Sequence, residues 1–321
     1  MLDTTTDLHS KPAAKTARIF VDGDSGTTGL QIRERLSKLP QVEQVTIDSA
    51  FRKDIGAKRE VLARVDTAIL CLPDAAARES AALIESMGDK GPRLIDASTA
   101  HRTAPGWVYG FPEMVKGQEA AIRTARKVSV PGCYPTGAIA LLRPLVDAGL
   151  IPADHPVSIN AVSGYSGGGK SLIEAHEKGT APSFELYGLG FEHKHLPEIV
   201  AYSGLTRRPI FLPSIGNYRQ GMLVSIPLDL DLLPSRPSAA DLECGLRAHY
   251  AASGNVRVIA GEPMNSFDRL EPESLNGTDL LEIRVAGSGQ YRQAVLIAKL
   301  DNLGKGASGA AVQAMRLMLG F

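Results

Sequence analysis

Arg18-Ile19-Phe20-Val21-Asp22-Gly23-Asp24-Ser25-Gly26-Thr27-Thr28-Gly29 is the stretch from which the fold can be read. Its first four residues suit a short buried strand. The glycine-rich block follows at once, and then Ile32, Leu36 and Leu39 recur on one face of a helix. Strand, glycine turn, helix is the context in which a backbone closes on a pyrophosphate lying at a helix N-terminus. Gly23, Gly26 and Gly29 give G-x-x-G-x-x-G, a variant of the commoner G-x-G-x-x-G. An ordinary tight turn between strand and helix is the alternative.

Downstream, the run 42–47 ends at Asp48-Ser49-Ala50-Phe51-Arg52-Lys53. Asp48 stands where an acid would hold the adenosine ribose of NAD; Arg52 and Lys53 would hold the extra phosphate of NADP, or simply face solvent. A third run, 67–72, stops at Pro73-Asp74, with Asp74 placed to cap a helix over 75–87. A fourth, 93–96, enters Ala97-Ser98-Thr99-Ala100-His101-Arg102. Strands alternating with helices at this spacing make a Rossmann-type, doubly wound parallel α/β sheet, which takes its ligand beyond the strand C-termini. Ser98 and Arg102 fall there, and arginine is shaped for bidentate phosphate binding. A surface ion pair is the plainer reading of Arg102.

Beyond residue 133 the texture changes. The stretches 157–162, 222–226, 256–260, 280–285 and 293–300 alternate as half-solvated strands do, which points to a second α+β domain with a mostly antiparallel sheet. Residues 301–306 read as a turn and 307–319 as an amphipathic helix. The expected layout is a disordered tail over 1–16, a dinucleotide-binding domain over 17–132 completed by a C-terminal helix within 302–321, and a catalytic and oligomerisation domain over 133–301.

The 321 residues carry 35 basic and 35 acidic side chains, a balance that favours neither nucleic acid nor a membrane surface as partner. Three cysteines, Cys71, Cys133 and Cys244, are too few and too odd for a disulfide framework and point to the cytoplasm. Cys71, within Ala68-Ile69-Leu70-Cys71-Leu72, and Cys244 read as structural. No apolar run is long enough for a membrane span.

Chemistry gathers at Pro131-Gly132-Cys133-Tyr134-Pro135-Thr136, between the apolar run 127–130 and a helical stretch over 137–146. A thiol at such a corner meets unpaired N–H groups and the positive end of a helix dipole, which lower its pKa. The alternative is a buried cysteine packing as a small hydrophobe. Gly164-Tyr165-Ser166-Gly167-Gly168-Gly169-Lys170-Ser171 fits the phosphate loop of nucleotide hydrolases. No later strand ends in a clean Asp for Mg²⁺, since the run 223–229 contains Pro227, and a loop covering the nicotinamide side of a cofactor is equally physical. His193-Lys194-His195-Leu196-Pro197-Glu198 offers either a Zn²⁺ ligand set or general acid–base catalysis.

Taken together these motifs resemble the shorter type of N-acetyl-γ-glutamyl-phosphate reductase, related to aspartate-semialdehyde dehydrogenases. The matching pieces are 23–29, Asp96-Ala97-Ser98, Tyr109-Gly110-Phe111-Pro112-Glu113, 131–136, Ser163-Gly164-Tyr165-Ser166-Gly167, 193–198 and 301–309, in order along nearly the whole chain. The resemblance implies NADPH as cofactor, a small acyl phosphate as substrate, a place in arginine biosynthesis and a homo-oligomer. It implies that Cys133 forms a thioester, that His195 (with His193 as second choice) moves the proton, and that Glu198 orients one of the two histidines. Cofactor contacts would come from Gly23, Ser25, Gly26, Thr27, Gly29, Ser49, Arg52, Pro73, Ser98, Gly167, Gly168 and Asn302. Substrate contacts would come from Arg102, Ser163 and Tyr165, with no metal. An aspartyl-phosphate or other acyl-phosphate reductase, a P-loop NTPase and a catalytically silent dinucleotide sensor are the other readings.

Overall fold

The computed structural model describes residues 16–52, 54–260 and 269–321. The run that opens the glycine turn becomes β1 (Ala17–Asp22), followed by α1 (Thr27–Ser37) and β2 (Val42–Val45). Then come α2 (Ile55–Leu62), β3 (Thr67–Leu70), α3 (Asp74–Glu85), β4 (Arg93–Asp96), β5 (Val108–Tyr109), α4 (Gln118–Thr124) and β6 (Lys127–Ser129). The six strands form one sheet in the order β2-β1-β3-β4-β6-β5, every pairing parallel. All four residues of β3 are buried, as befits a strand covered on both faces. Ile32 and Leu36 of α1 join Ile122 of α4 in one apolar cluster, and Val61, Leu62, Ala77, Ala81 and Ile84 of α2 and α3 build another. β2 flanks β1 on one side and β3 on the other, so the strand order reverses at β1 and a crevice opens there beyond the strand C-termini.

Asp74 is the first residue of α3, not its cap. Its carboxylate instead accepts bonds from the backbone N–H and hydroxyl of Thr99, tying α3 to the turn after β4.

The second sheet follows α5 (Cys133–Asp147). Its elements are β7 (Ser158–Gly164), α6 (Lys170–Glu177), β8 (Phe184–Leu186), α7 (Leu196–Tyr202), β9 (Ile210–Gly216), β10 (Met222–Asp229), α8 (Ala239–Tyr250), β11 (Val256–Val258), β12 (Leu281–Ser288) and β13 (Gln293–Leu300). The order is β11-β12-β13-β10-β7-β9-β8, with β7–β9 and β11–β12 parallel and the other pairs antiparallel. Helices α5, α7 and α8 bury one face of this sheet in the largest core cluster. A Cβ on Gly137 would stand 2.7 Å from the Val224 side chain, so glycine there lets α5 lie close on β10. The opposite face carries half-buried Val162, Leu212, Leu223 and Ile297.

β8 and β9 escape the alternation rule, and β10 continues through Pro227. Prolines stand where ladders lapse: pairing of β10 with β7 stops at Ser225, and Pro213 of β9 lends only its carbonyl, to the N–H of Tyr187. After β13 a π-helical turn, Gly304–Ser308, leads into α9 (Gly309–Leu319), which returns to the first sheet and packs beside α1 and α4. The tail residues 1–15 and Lys53 lie outside the described residues.

Candidate active site

The chain leaves β6 through Pro131 and enters α5 at once. Gly132 is the N-cap and Cys133 the first helical residue, so the helix begins four residues before the expected 137. Pro135 fits in the first turn because its missing N–H would have had no partner. Gly132 is forced by its surroundings: a Cβ there would stand 2.6 Å from Arg102 Nη1, 2.7 Å from Glu198 Oε1 and 2.8 Å from His195 Nε2. Three polar groups thus converge beneath the residue that precedes the thiol.

Arg102 is buried, with Nε donating to the Val130 carbonyl (2.9 Å) and Nη1 to Glu198 Oε1 (2.6 Å). Glu198 Oε2 accepts from the Tyr109 hydroxyl (2.7 Å) and from the backbone N–H of Gly132 (3.0 Å). Tyr109 in turn stacks on Tyr202 with ring centroids 3.9 Å apart. The expectation that Glu198 orients a histidine is therefore corrected: all its recorded bonds go to Arg102, Tyr109 and the cysteine turn. A buried carboxylate saturated in this way holds backbone geometry.

The two histidines differ. His193 Nδ1 accepts from the backbone N–H of His195 (3.1 Å), which assigns its proton to Nε2, 3.3 Å from the Tyr187 hydroxyl. Tyr187 donates to Tyr134, which donates to the Ser214 carbonyl. Burial and Lys194 bring the His193 pKa down to about 4. His195 is buried with Nδ1 lacking any partner, and burial together with Arg102, His193 and Lys194 holds its pKa well below the usual imidazole range. Both rings are neutral at pH 7. With His193 Nδ1 and Glu198 already engaged they form no metal-ligand set, and among the described residues no group of three His, Cys, Asp or Glu is arranged to hold a metal ion.

Cys133 corrects the expectation of a lowered pKa. Burial pushes the thiol up to about 11, against the opposing pull of Arg102 and the backbone N–H of Tyr134. Desolvation outweighs the helix end. The thiol lies at a cavity of ≈ 420 Å³ also lined by Arg102, Ser163, Gly167, His195 and Asn302. Gly306 of the π turn forms part of this wall; a Cβ on it would stand 2.8 Å from Cys133 Cβ. That turn is anchored by Lys305, which is buried and pairs with Glu113 (2.8 Å) and Gln313 (2.9 Å).

A second cavity, of ≈ 680 Å³, lies over β1 and β2 and is lined by Gly23, Ser25, Arg33, Arg52 and Lys58. The 23–29 turn separates the two: Ser25 faces the larger cavity and Thr27 the smaller. Gly23 has φ +87°, and a Cβ on Gly29 would meet the Gly23 carbonyl at 2.3 Å, so both glycines are needed to close the turn. Gly26 caps α1. Arg52 lies 3.4 Å from Asp24, which Arg33 also pairs with at 2.9 Å.

Other expected contacts are not brought to either cavity. Asp48 accepts from the N–H of Ala50 and, like Ser49, is exposed; Pro73 only caps α3. Ser98 is turned onto Asp96, which also binds His101 Nδ1 (2.6 Å). Tyr165 stacks on His176, away from the thiol. Gly167 and Gly168 do face Cys133's cavity, and Asn302 holds their loop by donating to Ser166 Oγ and accepting from the Gly221 N–H. The Walker-like segment thus forms a wall of the thiol's cavity, and its Lys170 is not part of that wall. Tyr109, Tyr187 and Lys194 were not singled out for roles by the sequence. Tyr109 lay inside a quoted motif and Lys194 between the two histidines.

Comparison with known proteins places the chain in a family. Residues 133–302 match the family model described as semialdehyde dehydrogenase, dimerisation domain. N-acetyl-gamma-glutamyl-phosphate reductase 2 of Pseudomonas putida is 50% identical over 305 residues, 94% of this chain and 96% of that one. The N-acetyl-gamma-glutamyl-phosphate reductase of Brucella ovis is 51% identical over 308 residues, covering 94% and 99%. Among solved structures, aspartate semialdehyde dehydrogenase from Francisella tularensis superposes with TM-score 0.69 at 13% identity, over 94% of this chain and all of that one. The Candida albicans enzyme, solved with NADP, gives 0.65 at 14%, over 95% and 98%. At such identities the superpositions speak for the fold.

Proposed function

Since the chain belongs to the N-acetyl-γ-glutamyl-phosphate reductase family, we propose that it reduces N-acetyl-γ-glutamyl phosphate to N-acetylglutamate 5-semialdehyde with release of phosphate, in arginine biosynthesis. The observation that carries this reading is a helix-start thiol in a cavity shared with an unpartnered imidazole and a buried guanidinium.

The glycine turn with a cavity on either side fits a dinucleotide. Gly23, Ser25 and Arg52 would hold the adenosine end, and Thr27, Gly167 and Gly168 the nicotinamide end, with Asn302 setting the loop. Bound NADPH supplies the hydride that converts an acyl thioester to the aldehyde oxidation level. The chain supplies the rest. Cys133 sulfur attacks the acyl carbonyl and the C–O bond to phosphate breaks. Because thiol and imidazole are both neutral, His195 takes the thiol proton as the C–S bond forms and passes it to the departing phosphate oxygen. After reduction it steadies the thiohemiacetal oxygen, and the thiolate that leaves with the aldehyde regains its proton through the same ring. The backbone N–H of Cys133, at the start of α5, would receive charge developing on the carbonyl oxygen. Glu198 and Arg102 fix the turn.

The dimerisation-domain match and the open face bearing Val162, Leu212, Leu223 and Ile297 support a homo-oligomer built on the second sheet. No helix among the described residues is long and apolar enough to cross a membrane. Three unpaired cysteines support the cytoplasm as its place.

The test runs the reaction backwards. N-acetylglutamate semialdehyde should reduce NADP⁺ only when phosphate is present, and intact-mass analysis without phosphate should show an acyl adduct on Cys133. Faster turnover of aspartate semialdehyde, or oxidation indifferent to phosphate, would overturn the reading.

A further inference from the structure

The substrate of the proposed reaction carries two anionic ends, the phosphate on the reacting carbonyl and a carboxylate several bonds away. Two cationic side chains line the thiol's cavity, Arg102 and Lys194. The histidines there are neutral and do not compete for an anion.

The two cations are placed differently. Arg102 is buried beneath Gly132, next to the nucleophile, and is fixed by Val130 and Glu198. Lys194 is exposed at the cavity wall and makes no hydrogen bond or ion pair among the described residues; its charge is felt at longer range by the Asp74 carboxylate, which already accepts from Thr99. A lysine on a flexible stem with three donors and no hydrogen-bonded partner is suited to a small anion arriving from solvent. Its field reaches the thiol more weakly than that of Arg102, which agrees with a place farther from the reacting atoms. Glu185, an acidic side chain in the same lining, is an acceptor and offers an anion no counter-charge.

We propose that Lys194 reads the substrate's carboxylate, so that an anionic group remote from the acyl phosphate is required for tight binding. This deepens the proposed function and rests on it. Arg102 then serves the phosphate end, and the cavity measures the distance between two charges as well as the identity of each.

The test is a cycle of two proteins and two aldehydes in the phosphate-dependent direction. The aldehydes are N-acetylglutamate semialdehyde and 4-acetamidobutanal, which has hydrogen in place of the carboxylate. Lys194→Met should raise KM for the first about tenfold or more, while kcat and KM for phosphate stay within about twofold. For 4-acetamidobutanal the two proteins should be alike, and Lys194→Arg should recover most of the lost affinity. A rise in KM for phosphate, or an equal penalty on both aldehydes, overturns the assignment. A second readout needs no turnover: N-acetylglutamate should shield Cys133 from iodoacetamide in the wild type and fail to do so in Lys194→Met. Wild-type protein inactive on both aldehydes would sink the proposed reaction, while equal shielding in both proteins would sink the role of Lys194.

Discussion

Cys71 and Cys133 stand just beyond the carboxyl ends of β3 and β6, in the same parallel sheet, yet only one faces a cavity with an acid–base partner. Burial raises both thiols, Cys71 to about 12 and Cys133 to about 11. Around Cys71 the neighbouring charges are Asp96, Asp22 and Asp24, and all push the same way. Around Cys133, Arg102 and the helix-start N–H of Tyr134 push back. Fold position therefore supplies the height of a thiol above the sheet, and the sign of nearby charge decides what can be done with it. Neither is a thiolate at neutral pH in the free protein. What sets Cys133 apart is access and the imidazole beside it.

The widest separation comes from replacing each sulfur. Cys133→Ser should abolish turnover by several orders of magnitude while NADPH still binds, whereas Cys71→Ser should leave kcat near wild type. Equal losses would erase the distinction. Next, Arg102→Met takes away the cation that favours the Cys133 thiolate and strands Glu198 as a buried charge. Iodoacetamide labelling of Cys133 should then need higher pH, moving toward the behaviour of Cys71, and stability should fall by about 3–5 kcal/mol in denaturant titration. A labelling profile that does not move would show that Arg102 acts on the fold alone. The smallest effect belongs to His193. Its folded pKa near 4 lies below the ordinary 6.5, so the fold prefers the neutral ring, and the stability this lends is present above pH 6.5 and is lost as pH falls toward 4. His193→Gln should therefore lose less Tm than wild type between pH 7 and 4.5, with modest change in kcat. His195→Asn should instead cut kcat.

What could be read in the chain was local. The 23–29 turn, the thiol at a strand-to-helix corner and the paired histidines each occupy a few consecutive residues. The run of helix-forming residues starts at Gly137, so the sequence shows the body of α5 more plainly than its first turn, where Pro135 fits and Cys133 is already helical. β9 was missed because Pro213 interrupts its pattern, and the gap in the ladder that accommodates it belongs to β8. Glu198 was assigned to the wrong partner because Arg102 and Tyr109 lie far away in sequence, and no spacing rule links them. Lys194 sits inside the paired-histidine motif, but that its ammonium is left without a hydrogen-bonded partner at the thiol's cavity is a property of the assembled fold. The lowered thiol pKa failed for the same reason, since desolvation is set by the walls that fold over the sulfur.

Those walls include a segment far along the chain from Cys133. Gly306 lies against Cys133, and α9 puts Ala311, Ala314 and Met315 into the same cluster as Ile19 and Ile32 of the first strand and helix. During synthesis, then, the amino-terminal half emerges with one side of its sheet covered by α1 and α4 alone, and the nucleophile acquires its full enclosure only when residues 302–321 have followed. Translation that stops short of them would yield a chain holding every reactive side chain named above and no place in which to use them.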